Sequence, residues 1–481
     1  MLQESRISKI FNDIALLLIM FSLIFYLRCI FRIHRETLIS ITFAAGILCT
    51  VVLVYIVAAL SRQIKTDTAS ITFLLLTSLI MLLIWNYYVQ ARPVSDYRVL
   101  WEGAGQIVDG TFHERALRKD DYFCMFNYQI GYAFYLSILF RLFHGSLAAA
   151  KIVIIIVIAL TNIIIYKTLR LYTGIRTSLC GATLFMCYPF IFMGSGILNN
   201  SHEAMLFEAL AVYMYLKYAD NLNFNRWYVW IITGLFLYLA VFMRPTAIVI
   251  VIAIFILSIL KALLYRDKAY ILIAVITITA YLIINSAVNN IFIASGLAPY
   301  GLNTNNLWFK LSLGLTGNGI TNQYTTSAEY TNLYYDLKFY GFNYDAYKAA
   351  AQNYINTILR TKTFDIIKFV YRKMVYFSGS FDNQFGYIGI DFARRYPVMI
   401  NILNISGICI YFLSVLFSGI RCCTRKILRL NEIALPALIF GGYFITYILF
   451  ETQTRYRYEQ YYMLFLMAVP AMSNLWRRFK S

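Results

Sequence analysis

Charge is scarce in this chain, and acid is scarcer than base. Only 14% of the 481 residues are charged, with 23 Asp and Glu against 42 Lys and Arg. Soluble domains carry about a quarter charged residues and are about half apolar. A chain that is 60% hydrophobic, with a mean hydropathy of +0.64, is instead an integral membrane protein. Turn-punctuated alternation with a period of two residues is missing, which argues against a transmembrane barrel. The eight cysteines form no CxxC pair, and the four histidines (His34, His113, His144, His202) lie far apart in sequence. That argues against a transition-metal site built by the protein. Only Cys124 falls in an outward loop, so no external disulfide framework is expected. The first apolar run has no small-residue cleavage site and reads as an uncleaved anchor. Low-complexity linkers and internal repeats are absent. The net charge of +19 is scattered through short loops with no basic arm or stripe, which argues against nucleic acid as a partner. It reads as topology information and attraction to anionic headgroups.

What the chain has in abundance is long apolar runs. A run of about 20 apolar residues spans a bilayer as a helix, and about twelve such runs occur. Spans are expected near 10–31, 38–60, 69–89, 147–168, 178–195, 202–218, 227–243, 246–262, 269–289, 398–420, 433–450 and 460–475. The apolar stretch 131–143 is too short to span and is read as a helix in the outer interface. Loops bearing Arg62 and Lys65, Lys167 and Arg170, Lys217 and Arg226, or Lys261 and Arg266 then face the cytoplasm, as do both termini. Only the first turn, with Arg28, Arg32 and Arg35, runs against that rule. Four regions follow: a hairpin at 1–68, a helical module at 69–290, an extracytoplasmic loop domain at 291–397 and C-terminal spans at 398–481. Within the loop domain, 345–360 and 364–377 read as amphipathic helices.

Polar residues gather at the outer ends of the spans. Asp96 stands a few residues beyond the span 69–89 and opens the polar segment 90–146; it can accept a proton from a hydroxyl within hydrogen-bond reach. Its alternative reading is an ordinary interfacial loop acid. His202 and Glu203 occupy a short outer turn with Asn199, Asn200 and Ser201. Glu208 lies deeper, inside a span, where ionisable groups face a cavity or a partner; a structural bond to a neighbouring helix is the other reading. Glu203 and Glu208 are expected on different helix faces. Arg244, fixed before Pro245, is expected to hold a guanidinium free to pair with a phosphate. Arg455 and Arg457 alternate with Tyr456 and Tyr458 in a late outer turn, suited to a phosphate and a sugar ring. Lys373, like Arg372, is a weaker candidate of the same kind. Arginines and aromatics at this depth also serve as an interfacial belt.

These residues resemble the GT-C class of membrane glycosyltransferases, especially the protein mannosyltransferase and aminoarabinose transferase superfamily. That family has a seven-helix module whose first outer loop begins with an acid and contains interfacial helices. Asp96, the 131–143 helix, Glu203, the segment ending near Lys373 and the late arginine pair match its pattern across most of 69–475. Two departures stand out. Asn127, Tyr128 and Gln129 replace the family's Lys-Pro-Pro, and Tyr97 follows Asp96 where relatives carry a second acid.

The resemblance implies an all-α polytopic, GT-C-like bundle in the plasma membrane. It also implies an inverting transfer of a sugar from a polyprenyl-phosphate carrier to a hydroxyl of a glycan, lipid or protein on the outer face. Asp96 would be the base and Glu203 an orienting group. Arg244, Arg455 or Arg457 would meet the phosphate, with His202, Glu208, Lys373 and Tyr97 binding substrate. No nucleotide is required, in keeping with the lack of a Gly-rich phosphate loop on outward segments. No cofactor is required either, although some relatives use a metal, so a divalent cation stays open. A lipid-linked saccharide polymerase or ligase is the chemically nearest alternative. A transporter or flippase of such saccharides is another, but inverted repeats and midplane helix breaks are missing.

Overall fold

The computed structural model describes residues 41–219, 226–303, 307–315, 337–361, 395–424, 430–452 and 454–478, with positions 367, 369–371, 373, 377 and 392. The expected first span, its basic turn and most of the expected helix 364–377 lie outside the described residues.

Among the described residues every regular element is helical. In chain order they are α1 (Ile41–Gln63), α2 (Asp67–Val89), α3 (Asp96–Asp109), α4 (Phe112–Leu117), α5 (Tyr122–Met125), α6 (Ile130–Leu142), α7 (Leu147–Arg170), α8 (Ile175–Met186), α9 (Pro189–Gly194), α10 (Asn200–Tyr218), α11 (Trp227–Met243), α12 (Ile248–Tyr265), α13 (Ala269–Ala294), α14 (Leu307–Leu315), α15 (Tyr344–Thr361), α16 (Pro397–Thr424), α17 (Leu430–Leu449) and α18 (Tyr458–Arg478). Among the described residues six helices are long and apolar enough to cross a membrane: α1, α2, α7, α12, α13 and α16. Two more apolar helices, α11 and the later part of α17, are shorter. The chain is thus an all-α polytopic membrane protein.

Helix starts follow local chemistry. Thr66, Ser146 and Asn199 cap α2, α7 and α10, each accepting a backbone N–H from its own first turn. Inside the spans, hydroxyls of Thr77, Thr161, Thr168 and Thr233 donate to carbonyls one turn back, so these four do not meet hydrocarbon bare. Between helices, Asn162 Nδ2 donates to Ser78 Oγ at 3.2 Å and ties α7 to α2. Ile152, Ile156 and Leu160 are exposed at four-residue spacing, giving α7 one lipid-facing stripe opposite its packed face.

The centre of the bundle is α18, in which every residue from Tyr458 to Ala471 is buried. A helix buried on all sides needs neighbours on all sides, and α7, α8, α10, α16 and α17 supply them. Tyr458 pins its start by donating to the carbonyls of Phe190 and Ile191 in α9.

Two expectations change. The span 178–195 is two helices, because Pro189 lacks an N–H and pushes Tyr188 out of the helical region; the chain bends between α8 and α9. The polar segment 90–146 is not mainly loop: α3 to α6 fill it. In α3, Tyr97, Leu100, Gly103 and Ala104 are buried at helical spacing, while Arg98 and Glu102 face out. The amphipathic helix expected at 345–360 is present as α15.

Helix α11 crosses α13 closely at Gly234, where a Cβ would lie 2.5 Å from the Thr277 carbonyl oxygen and 2.8 Å from Ala280. Gly234→Leu should therefore cost about 1–3 kcal/mol through overpacking, seen as a lower thermal midpoint of the detergent-solubilised protein. Gly174→Ala, at a position with open space around it, should leave that midpoint unchanged.

Candidate active site

Side-chain bonds join the start of α10 to the short 3-10 turn Asn127–Gln129 and to the end of α11: Asn200 Nδ2 donates to Gln129 Oε1 at 3.3 Å and to the Met243 carbonyl at 3.0 Å. Asn127 holds that turn by donating to the carbonyls of Gly301, at 2.8 Å, and Asn303. Tyr128 is the hub. Tyr128 lies within electrostatic reach of four charged side chains: Lys310, Glu451, Asp96 and Arg244. Burial raises the Tyr128 pKa above its ordinary value. The two cations oppose that rise and the two carboxylates add to it.

Each charge comes from a different element. Asp96 is the first residue of α3 and is half-buried. Lys310 lies in α14 and forms an ion pair with Glu451, just after α17, at 2.8 Å. Burial opposes the Lys310 charge, but Glu451 holds its pKa well above the ordinary value. The ammonium also sits over the Phe126 ring, 4.9 Å from its centroid.

Arg244 joins α11 to α12 and is not free to pair, contrary to the expectation from its position. It forms an ion pair with Glu459 of α18, and its Nη1 donates to Asn200 Oδ1 at 3.0 Å. Its guanidinium stacks on Tyr456, 5.1 Å from the ring centroid. Glu459 is only 1% exposed and also accepts a hydrogen bond from Tyr447. The backbone fixes this corner because Arg244, preceding Pro245, is extended (φ −150°, ψ 114°).

Glu203 and His202 are not in an exposed turn. They lie in the first turn of α10 and are 1% and 0% exposed. Glu203 faces the hydroxyls of Tyr132 and Tyr135 on α6. Those contacts fall short of full hydrogen-bond geometry, so neither carboxyl oxygen has a hydrogen-bond partner among the described residues. His202 packs edge-on against Tyr458, with ring centroids 5.2 Å apart. Glu208 points to another face, where it accepts a hydrogen bond from Tyr443 of α17 at 2.8 Å. Tyr97 is buried on the Tyr132 side.

The late cations divide. Arg457 is 1% exposed, between the rings of Phe190 and Tyr411. Lys373 donates to the carbonyls of Ile448 and Phe450 at 2.8 and 2.6 Å, closing the C-terminal end of α17. The side chain of Arg455, like residue Arg372, lies outside the described residues. Among the described residues no three His, Cys, Asp or Glu side chains cluster to hold a metal ion.

Beside the site, an apolar groove of about 620 Å³ runs between α2, α9 and the start of α16. Trp85, Tyr88, Phe192, Phe392 and Tyr396 line it, and Arg395 is its cation. It reaches Val89 and Gln90, where the link to Asp96 begins.

Residues 130–291 match the protein family described as dolichyl-phosphate-mannose-protein mannosyltransferase. Those residues are a GT-C type membrane glycosyltransferase domain. The match runs from α6 into α13 and includes His202, Glu203, Glu208 and Arg244; Asp96, Lys310 and the C-terminal helices lie outside it. No curated protein matches the chain. Reading the sequence alone missed Tyr128, Lys310, Glu451 and Glu459 as neighbours of the GT-C domain's polar end. Lys310 carried a signal as the single charge in the apolar stretch Leu307–Leu315. Glu459 carried none, because its partner is 215 positions away (459 minus 244).

The buried pair predicts a measurable coupling. Arg244→Met leaves Glu459 unpaired and Glu459→Gln leaves Arg244 unpaired, so each should cost about 3–5 kcal/mol. The double variant should lose less than the sum by about 0.5–3 kcal/mol, as read from unfolding midpoints. Strict additivity would show that the pair is not formed in the membrane protein.

Proposed function

We propose that the protein moves a sugar from a polyprenyl-phosphate carrier to an acceptor hydroxyl on the extracytoplasmic face, with inversion at the anomeric carbon. The observation that carries this reading is that Asp96, Arg244 and the Lys310–Glu451 pair all lie within electrostatic reach of Tyr128, next to a stretch that matches a membrane mannosyltransferase family. The groove beside it supports a lipid-borne donor. A polyprenyl chain would lie against Trp85, Phe192 and Tyr396, with Arg395 attracting its anionic head.

In this mechanism the acceptor hydroxyl gives its proton to the Asp96 carboxylate as its oxygen bonds to the anomeric carbon. The bond from that carbon to the phosphate oxygen breaks, and the electron pair stays with the phosphate. Arg244 and Lys310 stabilise the departing charge, an electrostatic role that is strongest where water is excluded. Glu203 orients the sugar or the acceptor from the Tyr132 side. The acceptor is a glycan, lipid or protein bearing an accessible hydroxyl. On this reading both termini are cytoplasmic and 291–397 is an extracytoplasmic loop domain, whose α14 carries Lys310.

The test uses membranes supplied with radiolabelled polyprenyl-phosphate hexoses and pentoses. Wild type should move label from the lipid to an acceptor, and Asp96→Asn should lower turnover by about 10²–10⁴-fold at matched expression. Undiminished transfer by Asp96→Asn would remove Asp96 from the base role. Movement of intact labelled lipid across the membrane without sugar transfer would support a flippase instead.

A further inference from the structure

The link that delivers Asp96 to the site is strained. Gln90, which ends α2, has φ +45°, and Ser95, which precedes Asp96, has φ +52° with ψ −133°. Neither is glycine, and a residue held in such a region costs about 1–3 kcal/mol unless its surroundings over-determine it. Serine is ordinarily a good helix cap with an extended backbone. Here its side chain makes no cap bond, and only its carbonyl accepts from Arg98 N and Val99 N, at 3.0 and 3.2 Å. At its ends the link has only backbone bonds, Gln90 N to the Asn86 carbonyl and the two to Ser95, and no side-chain cap.

Lys151 holds it from outside. This side chain, near the start of α7, is 8% exposed and donates to the carbonyl oxygen of Ala91, itself 3% exposed. No carboxylate pairs with Lys151 among the described residues. A cation near a helix N-terminus works against the helix dipole, and a buried ammonium without a carboxylate costs several kcal/mol. Neither helix formation nor ion pairing accounts for a lysine there. Fastening the link does.

We propose that Lys151 is a positioning residue: by pinning Ala91 it sets where the strained Gln90-to-Ser95 link places the Asp96 carboxylate. This rests on the proposed role of Asp96 as the base. The same link borders the groove at Val89 and Gln90, so one fastening fixes both the wall beside the donor chain and the acid at the reacting end.

Two measurements on the full-length protein in liposomes test the proposal. The first is hydrogen–deuterium exchange of the backbone amides at 91–99, which needs no substrate. Lys151→Met should raise exchange there and leave α10 and α18 protected, and Lys151→Arg should restore protection. The second is steady-state transfer from a radiolabelled polyprenyl-phosphate sugar that the wild type turns over. Lys151→Met should lower kcat by about 10- to 100-fold with the donor KM within about twofold, because a misplacement of about 1 Å costs on that order. Lys151→Arg should recover most of the loss. If Lys151→Met is not recovered folded, Lys151→Gln, which keeps an N–H donor on a shorter stem, carries the same comparison.

Unchanged exchange at 91–99 overturns the proposal. So does wild-type kcat in Lys151→Met while Asp96→Asn is inactive, and so does a rise in KM alone. If Asp96→Asn itself transfers sugar normally, the base reading fails, and the exchange result still decides whether Lys151 fastens the link.

Discussion

The ion pair between Arg244 and Glu459 is the constraint on which the polar end of this molecule depends. Glu459 is almost fully removed from solvent and Arg244 is mostly so, on elements distant in sequence. Taking two charges out of water is costly, and the geometry must return that cost through additional hydrogen bonds. Asn200 and Tyr447 supply them, and Tyr456 stacks on the guanidinium. The pair thereby locks the α11–α12 corner, the first turn of α10 and the start of the central helix α18 into one wall. The charges around Tyr128 are arranged against that wall.

The same interaction reshapes the role of Arg244. A guanidinium already neutralised by a carboxylate attracts a phosphate less than a lone one does, but it is held in one place. Lys310 is in the same situation through Glu451. Paired cations of this kind favour a dianion-like transition state over the ground state, because they offer fixed donors without a large standing positive charge. Glu203 is different. Buried beside Tyr132 and Tyr135 with no hydrogen-bond partner for either oxygen among the described residues, it is a buried polar group that calls for a polar neighbour such as water or a hydroxyl-rich substrate.

Much of this fold could be read from the sequence, and for a physical reason. In hydrocarbon, length and apolarity decide what spans, so the helices from 69 to 289 and the last three fall close to where their composition puts them. The α8–α9 break was missed because the apolar run continues through Pro189; hydropathy does not register a missing N–H. The environments of the polar residues named from the sequence were not legible. Arg244 and Lys373 looked like unattached cations at helix ends, whereas one holds Glu459 and the other holds two carbonyls of α17. Such pairings join residues far apart in the chain, and no spacing rule reports them. The buried state of His202 and Glu203 was hidden in the same way, since a dense polar turn reads as surface until α6 and α18 are packed over it.

The central claim is that a lipid-linked phosphate is handled at the Tyr128 cluster. The most direct test is an electron cryo-microscopy map of the protein with a non-hydrolysable polyprenyl-phosphonate sugar analogue. The account predicts density for the phosphonate beside Tyr128, between Arg244 and Lys310, with the chain in the groove along Trp85 and Phe192. A phosphonate bound at the opposite end of the bundle, or one remote from Asp96, would contradict it.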